Sequence, residues 1–322
     1  MIKTGKRAIL TLLICALLAT TVHAVDYLIP AGQIVGLELG SNQVTVADFD
    51  KTLSENARAA GLKVGDQITH VDGKSVTTPE DVRNALMRSG GTVTIRFLRG
   101  GQEQTVEIEP AITPEGPRLG IYLKDGVTGV GTVTYYDPAN RTFGTLGHGV
   151  SSASGSLVPI VSGTAYKATV ISVKKGQSGA PGQLLGAIDR SAPIGALTKN
   201  TQKGIFGKAD QPFSGTPVPL ADPEAVHTGG ATILSTVRGQ EVREYSVEIL
   251  KIYPKAKTSD RNMLIRVTDD ALLQATGGIV QGMSGSPILQ DGKLVGAVTH
   301  VLVNDPTTGY GIFIENMLNA AA

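Results

Sequence analysis

One piece of punctuation occurs twice in this chain, and it constrains the fold more than any single segment. Gly176-Gln177-Ser178-Gly179-Ala180-Pro181 and Gly282-Met283-Ser284-Gly285-Ser286-Pro287 share a Gly-x-Ser-Gly-x-Pro spacing. Each is followed by a Gly-x-Leu-x-Gly-Ala run, Gly182 to Ala187 and Gly292 to Ala297. Glycine and proline at fixed offsets set tight turns, and the runs after them read as strands. A repeated turn-and-strand unit fits two barrels descended from one, and the strand spacing suits an all-β barrel or sandwich. Further strands are expected over 127–136, 167–173, 184–188, 232–237, 242–252, 263–267 and 294–303, with a short helix only at 314–321. The 40 glycines and absence of tryptophan fit short strands joined by tight turns.

The N-terminal third is organised differently. Lys3, Lys6 and Arg7 precede an apolar run, Ala8 to Val22, that ends in Val22-His23-Ala24. A basic start, a short apolar stretch and small residues at the −3 and −1 positions predict an export signal or an N-terminal membrane anchor over residues 1–24. Its removal leaves 26 basic residues against 28 acidic, a balance that does not suit nucleic-acid binding. The only cysteine, Cys15, lies in that segment, so the exported part can form no disulfide, thiol site or Cys/His metal cluster. Residues 25–33 read as a linker, and strands follow over 34–37 and 44–49. Asp72-Gly73 marks a hairpin. Thr78 should cap a helix opened by Pro79 with Val82, Ala85 and Leu86 on its apolar face, and strands 93–98 and 104–108 close the unit. Residues 34–110 resemble a PDZ domain of the bacterial protease-associated type. That resemblance implies a carboxylate-binding loop at Val35-Gly36-Leu37, where peptides would add as a strand. Residues 111–322 form the second expected domain.

The chemistry points to a nucleophile and a base. A serine between glycines presents its hydroxyl on a tight turn, where backbone N–H groups can converge on one oxyanion. Ser284 meets that description, with the amides of Gly282 and Ser284 as the expected donors and Ser178 as the second candidate. A serine needs a general base, and Thr145-Leu146-Gly147-His148-Gly149 places a histidine in its own glycine turn. The order, histidine first and serine late, is that of chymotrypsin-like enzymes. His23 leaves with the signal, His70 falls in the PDZ segment, His227 in a polar loop, and His300 ends a strand as an expected bystander. For the acid, spacing selects Asp189, 41 residues after His148, with Asp269 and Asp270 as rivals.

The signal, the PDZ segment, TLGHG at 145–149, IRVTD at 265–269 and TGGIVQGMSGSP at 276–287 together resemble the stage IV sporulation protein B peptidases. The resemblance implies a PDZ domain followed by a chymotrypsin-like double-barrel serine peptidase, with His148, Asp269 and Ser284 as the triad and no cofactor or metal. It further implies an exported signalling endopeptidase acting between the two membranes of the forespore. There it would cleave itself and a regulator of an intramembrane protease, so releasing a sigma factor precursor for processing. Membrane association through the N-terminus and self-association through the PDZ domain are further expectations. Two other classes fit parts of the chain. One is a PDZ-led scaffold with an inactive peptidase half. The other is an envelope quality-control protease, although those place the PDZ domain after the protease.

Overall fold

A computed structural model of the chain describes residues 27–151, 155–254 and 261–322. The expected signal or anchor, residues 1–24, lies outside the described residues, as do positions 25 and 26 of the expected linker. Two six-stranded barrels form the body of the fold. The first closes through Ile34–Phe49, Ile121–Asp137, Thr142–Thr145, Gly204–Ala209, Gln183–Thr201 and Ser162–Lys174, which returns to the first strand. The second closes through Gly229–Arg238, Glu241–Ile252, Met263–Val267, Asp305–Phe313, Lys293–Leu302 and Pro287–Gln290. Counted along the chain, both pair their strands antiparallel in the order 1-2-3-6-5-4. Closure leaves no unpaired edge, which is how an all-β chain avoids a sticky flank. The double barrel expected from the repeat is thus observed.

The repeat itself divides in two. Gly-x-Leu-x-Gly-Ala opens the fifth strand of both barrels, Gln183–Thr201 and Lys293–Leu302. The serine turns do not correspond. The Ser178 turn joins strands four and five of the first barrel, whereas the Ser284 turn leads from strand three towards strand four of the second.

The PDZ unit and the peptidase part, expected over 34–110 and 111–322, share two long strands. Ile34–Phe49 has 16 residues and Ile121–Asp137 has 17, and they pair with each other with register breaks at Gly40/Thr45 and Val46/Asp48. At roughly 3.3 Å per residue such strands run for about 50 Å, longer than one small core needs. Each therefore serves two cores. Val35, Leu37 and Leu39 pack with Phe143 and Ile205 inside the first barrel, while Val44, Val46 and Phe49 pack with Ile68, Leu86 and Phe97 in the PDZ core. The PDZ sheet continues through Gln67–Val71, Val93–Arg99 and Gln102–Ile108. The unit is inserted between the first two strands of the first barrel.

Local signals inside this insertion behave as read. Asp72 and Gly73 take φ of 48° and 73° and join Gln67–Val71 to Lys74–Ser75, the paired positive angles that a two-residue hairpin needs. Helix Pro79–Arg88 starts in a reciprocal capping box between Thr78 and Asp81 and buries Val82, Ala85 and Leu86. The linker expectation is corrected. Tyr27–Pro30 is a strand paired with Tyr135 and Tyr136 on one side and Val218–Pro219 on the other, with Leu28 fully buried. Strands Thr142–Thr145, Gly204–Ala209 and Asp305–Phe313 were not expected, because glycine and threonine blur their apolar alternation.

Candidate active site

The histidine turn is strained. Strand Thr142–Thr145 ends at Leu146, whose φ of 69° is a left-handed value that a leucine seldom adopts. The Gly147 amide donates to the Thr145 carbonyl at 2.9 Å, closing a three-residue turn across Leu146. Such geometry costs on the order of 1–3 kcal/mol and persists where surroundings over-determine it. Here the Leu146 side chain is buried, and its amide donates to the Thr132 carbonyl at 3.3 Å. Gly147 also has φ of 69°, and a Cβ there would lie 2.9 Å from Thr299 of the second barrel. The turn thus delivers His148 to the seam between the barrels. Its Nδ1 lies 2.9 Å from the Gly149 carbonyl. A carbonyl can only accept, so Nδ1 carries the proton in this contact and Nε2 is left for another partner.

The serine turn meets it from the other side. Gly282 and Gly285 take φ of 98° and 96°, and between them Met283 is buried with its amide donating to the Val280 carbonyl. A Cβ on Gly285 would lie 2.1 Å from the Thr132 carbonyl oxygen, so only glycine fits this approach of two backbones. Thr132, fully buried in the first barrel, binds the turn twice. Its hydroxyl donates to the Gly282 carbonyl at 2.8 Å, and its amide to the Ser284 carbonyl at 3.0 Å. A third tie runs from the Leu184 amide to the Gln281 carbonyl at 2.8 Å, with the Gln281 amide returning to Gly182 at 2.9 Å. The first barrel therefore holds the loop that carries Ser284. The Ser284 hydroxyl donates to the Thr299 carbonyl at 2.7 Å.

His148, Ser284 and His300 line one cleft of about 420 Å³, walled by aliphatic side chains including Val130, Ile279, Val280 and Val301. Among the described residues, no carboxylate, lysine or arginine lines it. The His148 and His300 rings lie with centroids 5.0 Å apart and planes tilted by 40°. His300, expected as a bystander at the end of a strand, also lines this cleft.

The expected acids are elsewhere. Asp269 is the N-cap of helix Asp270–Thr276, its Oδ1 accepting from the Leu272 amide at 2.9 Å and its Oδ2 from the Ser246 amide at 3.4 Å. Asp270 sits in the first turn of that helix. Asp189 lies on an exposed part of Gln183–Thr201 and accepts from the Ser191 hydroxyl and amide. Those two bonds, with Lys167 adding attraction, hold its carboxyl below the usual range. The structure thus brings His148 and Ser284 together and does not bring Asp269 or Asp189 to them. Ser178, exposed, donates to the Asn304 carbonyl at 2.9 Å and does not line the cleft. His227 is engaged with Asp291 and Thr228 at a distant turn, and His70 with Thr69 in the PDZ sheet.

Val35-Gly36-Leu37 is corrected as a peptide-binding loop. These residues form a barrel strand paired on both sides, with Gly129–Gly131 and with Ala165–Lys167, so neither edge is open to a peptide. The same apolar-Gly-apolar pattern recurs at Leu119-Gly120-Ile121. There, Ile121–Lys124 pairs only with Thr45–Phe49 among the described residues, and its other side faces helix Pro79–Arg88 across a groove of about 370 Å³.

Comparison with known proteins divides the chain close to the boundaries expected from its sequence. Residues 34–109 match the PDZ domain family and residues 115–318 the family described as SpoIVB peptidase S55. Among curated proteins, a putative zinc metalloprotease of Mesorhizobium japonicum is 38% identical over 80 residues, 24% of this chain and 22% of the relative. The serine protease HTRA1 of Xenopus tropicalis is 39% identical over 54 residues, 17% of this chain and 12% of the relative. The chain therefore spans only about a fifth or less of these relatives. Among solved structures, the active form of the Rv3671c protease from M. tuberculosis aligns at 16% identity and a TM-score of 0.35, over 60% of this chain and 72% of that one. With a match over most of its length beyond the PDZ insertion, the chain belongs to the SpoIVB peptidase S55 family and is a PDZ-containing serine peptidase.

Proposed function

We propose that Ser284 is the nucleophile and His148 its general base, and that the enzyme is an exported sporulation signalling endopeptidase. The observation that carries the site assignment is the convergence of His148 from one barrel and Ser284 from the other on a single cleft. In the reaction, rotation about χ1 moves the Ser284 hydroxyl from the Thr299 carbonyl to His148 Nε2. Oγ then attacks the scissile carbonyl carbon as its proton passes to Nε2. The amides of Gly282 and Ser284 stabilise the oxyanion, each such donor typically contributing about 10²–10³ in rate. Collapse of the tetrahedral intermediate breaks the C–N bond, and the imidazolium returns its proton to the leaving amine. Water then attacks the acyl-enzyme, giving its proton to His148, and Ser284 is released.

The aliphatic walls of the cleft suit uncharged side chains flanking the scissile bond. The open edge of Ile121–Lys124 beside Leu119-Gly120-Ile121 is where a peptide would add as a strand to the PDZ unit. Family membership supports the finer reading. The substrates would be the enzyme itself and a regulator of an intramembrane protease, acted on between the forespore membranes, with sigma factor precursor processing as the consequence. The test is fluorophosphonate labelling of the full chain, wild type beside Ser284→Ala and Ser178→Ala, with the modified peptide identified by mass spectrometry. Label on the Ser284 peptide, lost only in Ser284→Ala, is expected. Label that survives in Ser284→Ala and disappears in Ser178→Ala would refute the assignment.

A further inference from the structure

The fourth strand of the first barrel, Ser162–Lys174, is paired on both sides for only part of its length. Residues 162–167 pair with 35–40 on one side, and 164–174 with 183–196 on the other. Past Lys167 the first side is held by a single bridge, in which the Val170 amide donates to the Gly239 carbonyl at 2.8 Å and the Gly239 amide to the Val170 carbonyl at 3.2 Å. The next tie to the second barrel is the Gly176 amide, donating to the Thr276 carbonyl at 2.8 Å. Between these two ties, residues 171–175 have no strand on that side among the described residues. An unpaired row of backbone N–H and C=O groups is a template for a further strand. At about 3.3 Å per residue, the gap takes one of roughly five residues.

A groove of about 340 Å³ follows the gap. The strand forms one wall through Ile171 and Val173, and the other is formed by Ala271 and Ala275, neighbours on an exposed face of helix Asp270–Thr276. Ile171 is 69% exposed, and Leu185, paired with Ser172 on the next strand, is 46% exposed. Large apolar side chains left in water beside an unpaired edge mark a surface that a partner covers. The groove shares no lining residue with the catalytic cleft or the PDZ groove. The charge along it is mainly positive. Glu241 and Arg243 hold each other at 2.9 Å, whereas Arg238 forms no ion pair or hydrogen bond through its side chain among the described residues. Lys174 and Lys175 stand exposed at and just past the end of the strand.

We propose that this groove docks a short extended segment of a protein partner, added as a strand to residues 171–175, with aliphatic side chains against Val173 and the two alanines and a carboxylate at Arg238. Successive side chains of a strand point to opposite faces, so a segment that alternates aliphatic and acidic residues meets both requirements at once. In such pairing main-chain hydrogen bonds supply affinity, and the pockets for alternate side chains supply selectivity. The groove abuts helix Asp270–Thr276, which runs through Gly277 and Gly278 into the serine loop. A partner seated there touches the element that leads to Ser284 without entering the cleft. Docking there is independent of which residues perform the chemistry.

The probe is a pentapeptide, Val-Glu-Val-Glu-Val, with fluorescein on its N-terminus and an amidated C-terminus, so that it offers no terminal carboxylate to the PDZ unit. Its fluorescence anisotropy is followed as the full chain carrying Ser284→Ala is added, so that the peptide is not cut, with a thermal melt for each variant. Saturable binding is expected, at least about tenfold tighter than that of Val-Lys-Val-Lys-Val, which would meet Arg238 with like charge. Arg238→Glu is expected to weaken the acidic peptide by at least about tenfold and to reverse the preference between the two peptides. Ala275→Leu, which fills the groove from an exposed helix position, is expected to weaken it by about as much, and Arg83→Glu on the PDZ helix to leave it within about threefold. Absence of saturable binding up to about 1 mM, equal affinity for the two peptides, or wild-type affinity in Arg238→Glu would overturn the docking site. So would a loss in Arg83→Glu as large as that in Arg238→Glu, which would put the peptide in the PDZ groove. Should Ala275→Leu fail to melt cooperatively, Arg238→Glu and the reversal of charge preference still decide.

Discussion

Replacing Thr132 by valine tests whether the first barrel holds the serine loop in working geometry. The substitution keeps volume, β-branching and both backbone contacts of Thr132, its amide to the Ser284 carbonyl and its carbonyl to the Leu146 amide. It removes one interaction, the 2.8 Å hydrogen bond from the hydroxyl to the Gly282 carbonyl. A part-buried acceptor left without its donor costs up to about 1–3 kcal/mol, and the extra apolar surface of valine returns somewhat under 1 kcal/mol. The expected net loss is about 1–2 kcal/mol, which for a domain of this size lowers the melting temperature by roughly 2–8 °C. If the same energy aligns the turn that carries the oxyanion donors, labelling of Ser284 slows by about five- to thirtyfold. Calorimetry and fluorophosphonate kinetics on the full chain read both numbers. A variant with an unchanged melt and unchanged labelling would refute the view that Thr132 couples the barrels at the site.

Two other outcomes follow from the fold. Gly36→Ala should destabilise the chain by about 1–3 kcal/mol, because the new Cβ would lie 2.6 Å from the Ile188 side chain and force repacking. Its peptide affinity, measured with the stability loss accounted for, should be unchanged, whereas a peptide-binding loop at Val35–Leu37 would lose affinity first. The PDZ unit should be acid-labile. Asp50 is pulled down to about 2, chiefly by the Thr52 amide, and Asp81 is lowered mainly by the Thr77 amide. Both folded-state values lie below the ordinary carboxylate value of about 3.9. Their stabilising contribution is therefore present above pH 4 and is lost as pH falls from about 4 towards 2. Melts at pH 5 and pH 2.5, with Asp81→Asn losing part of the difference, check the sign.

What the sequence determined alone is what physical chemistry decides over a few neighbouring residues. The Asp72-Gly73 hairpin, the Thr78–Asp81 capping box and the glycine turns around His148 and Ser284 rest on local φ/ψ demands and short-range hydrogen bonds. The repeated Gly-x-Leu-x-Gly-Ala run likewise announced two equivalent strands, and the two barrels bear it out. Wherever partners are distant in the chain, the same letters proved ambiguous. Val35-Gly36-Leu37 and Leu119-Gly120-Ile121 have one pattern, and only strand pairing buries the first inside a barrel and leaves the second beside an open groove. Ser178 and Ser284 share a motif, yet topology sets them in non-equivalent connections and gives only Ser284 a histidine. An aspartate just before a helix serves equally as cap or as acid on paper. In the closed second barrel Asp269 accepts from the Ser246 amide, and the His300 ring lies beside that of His148. Local conformational preference acts within a turn or two, whereas the choice among alternative partners is made by which long-range pairings bury both faces of a strand, and that choice belongs to the tertiary structure.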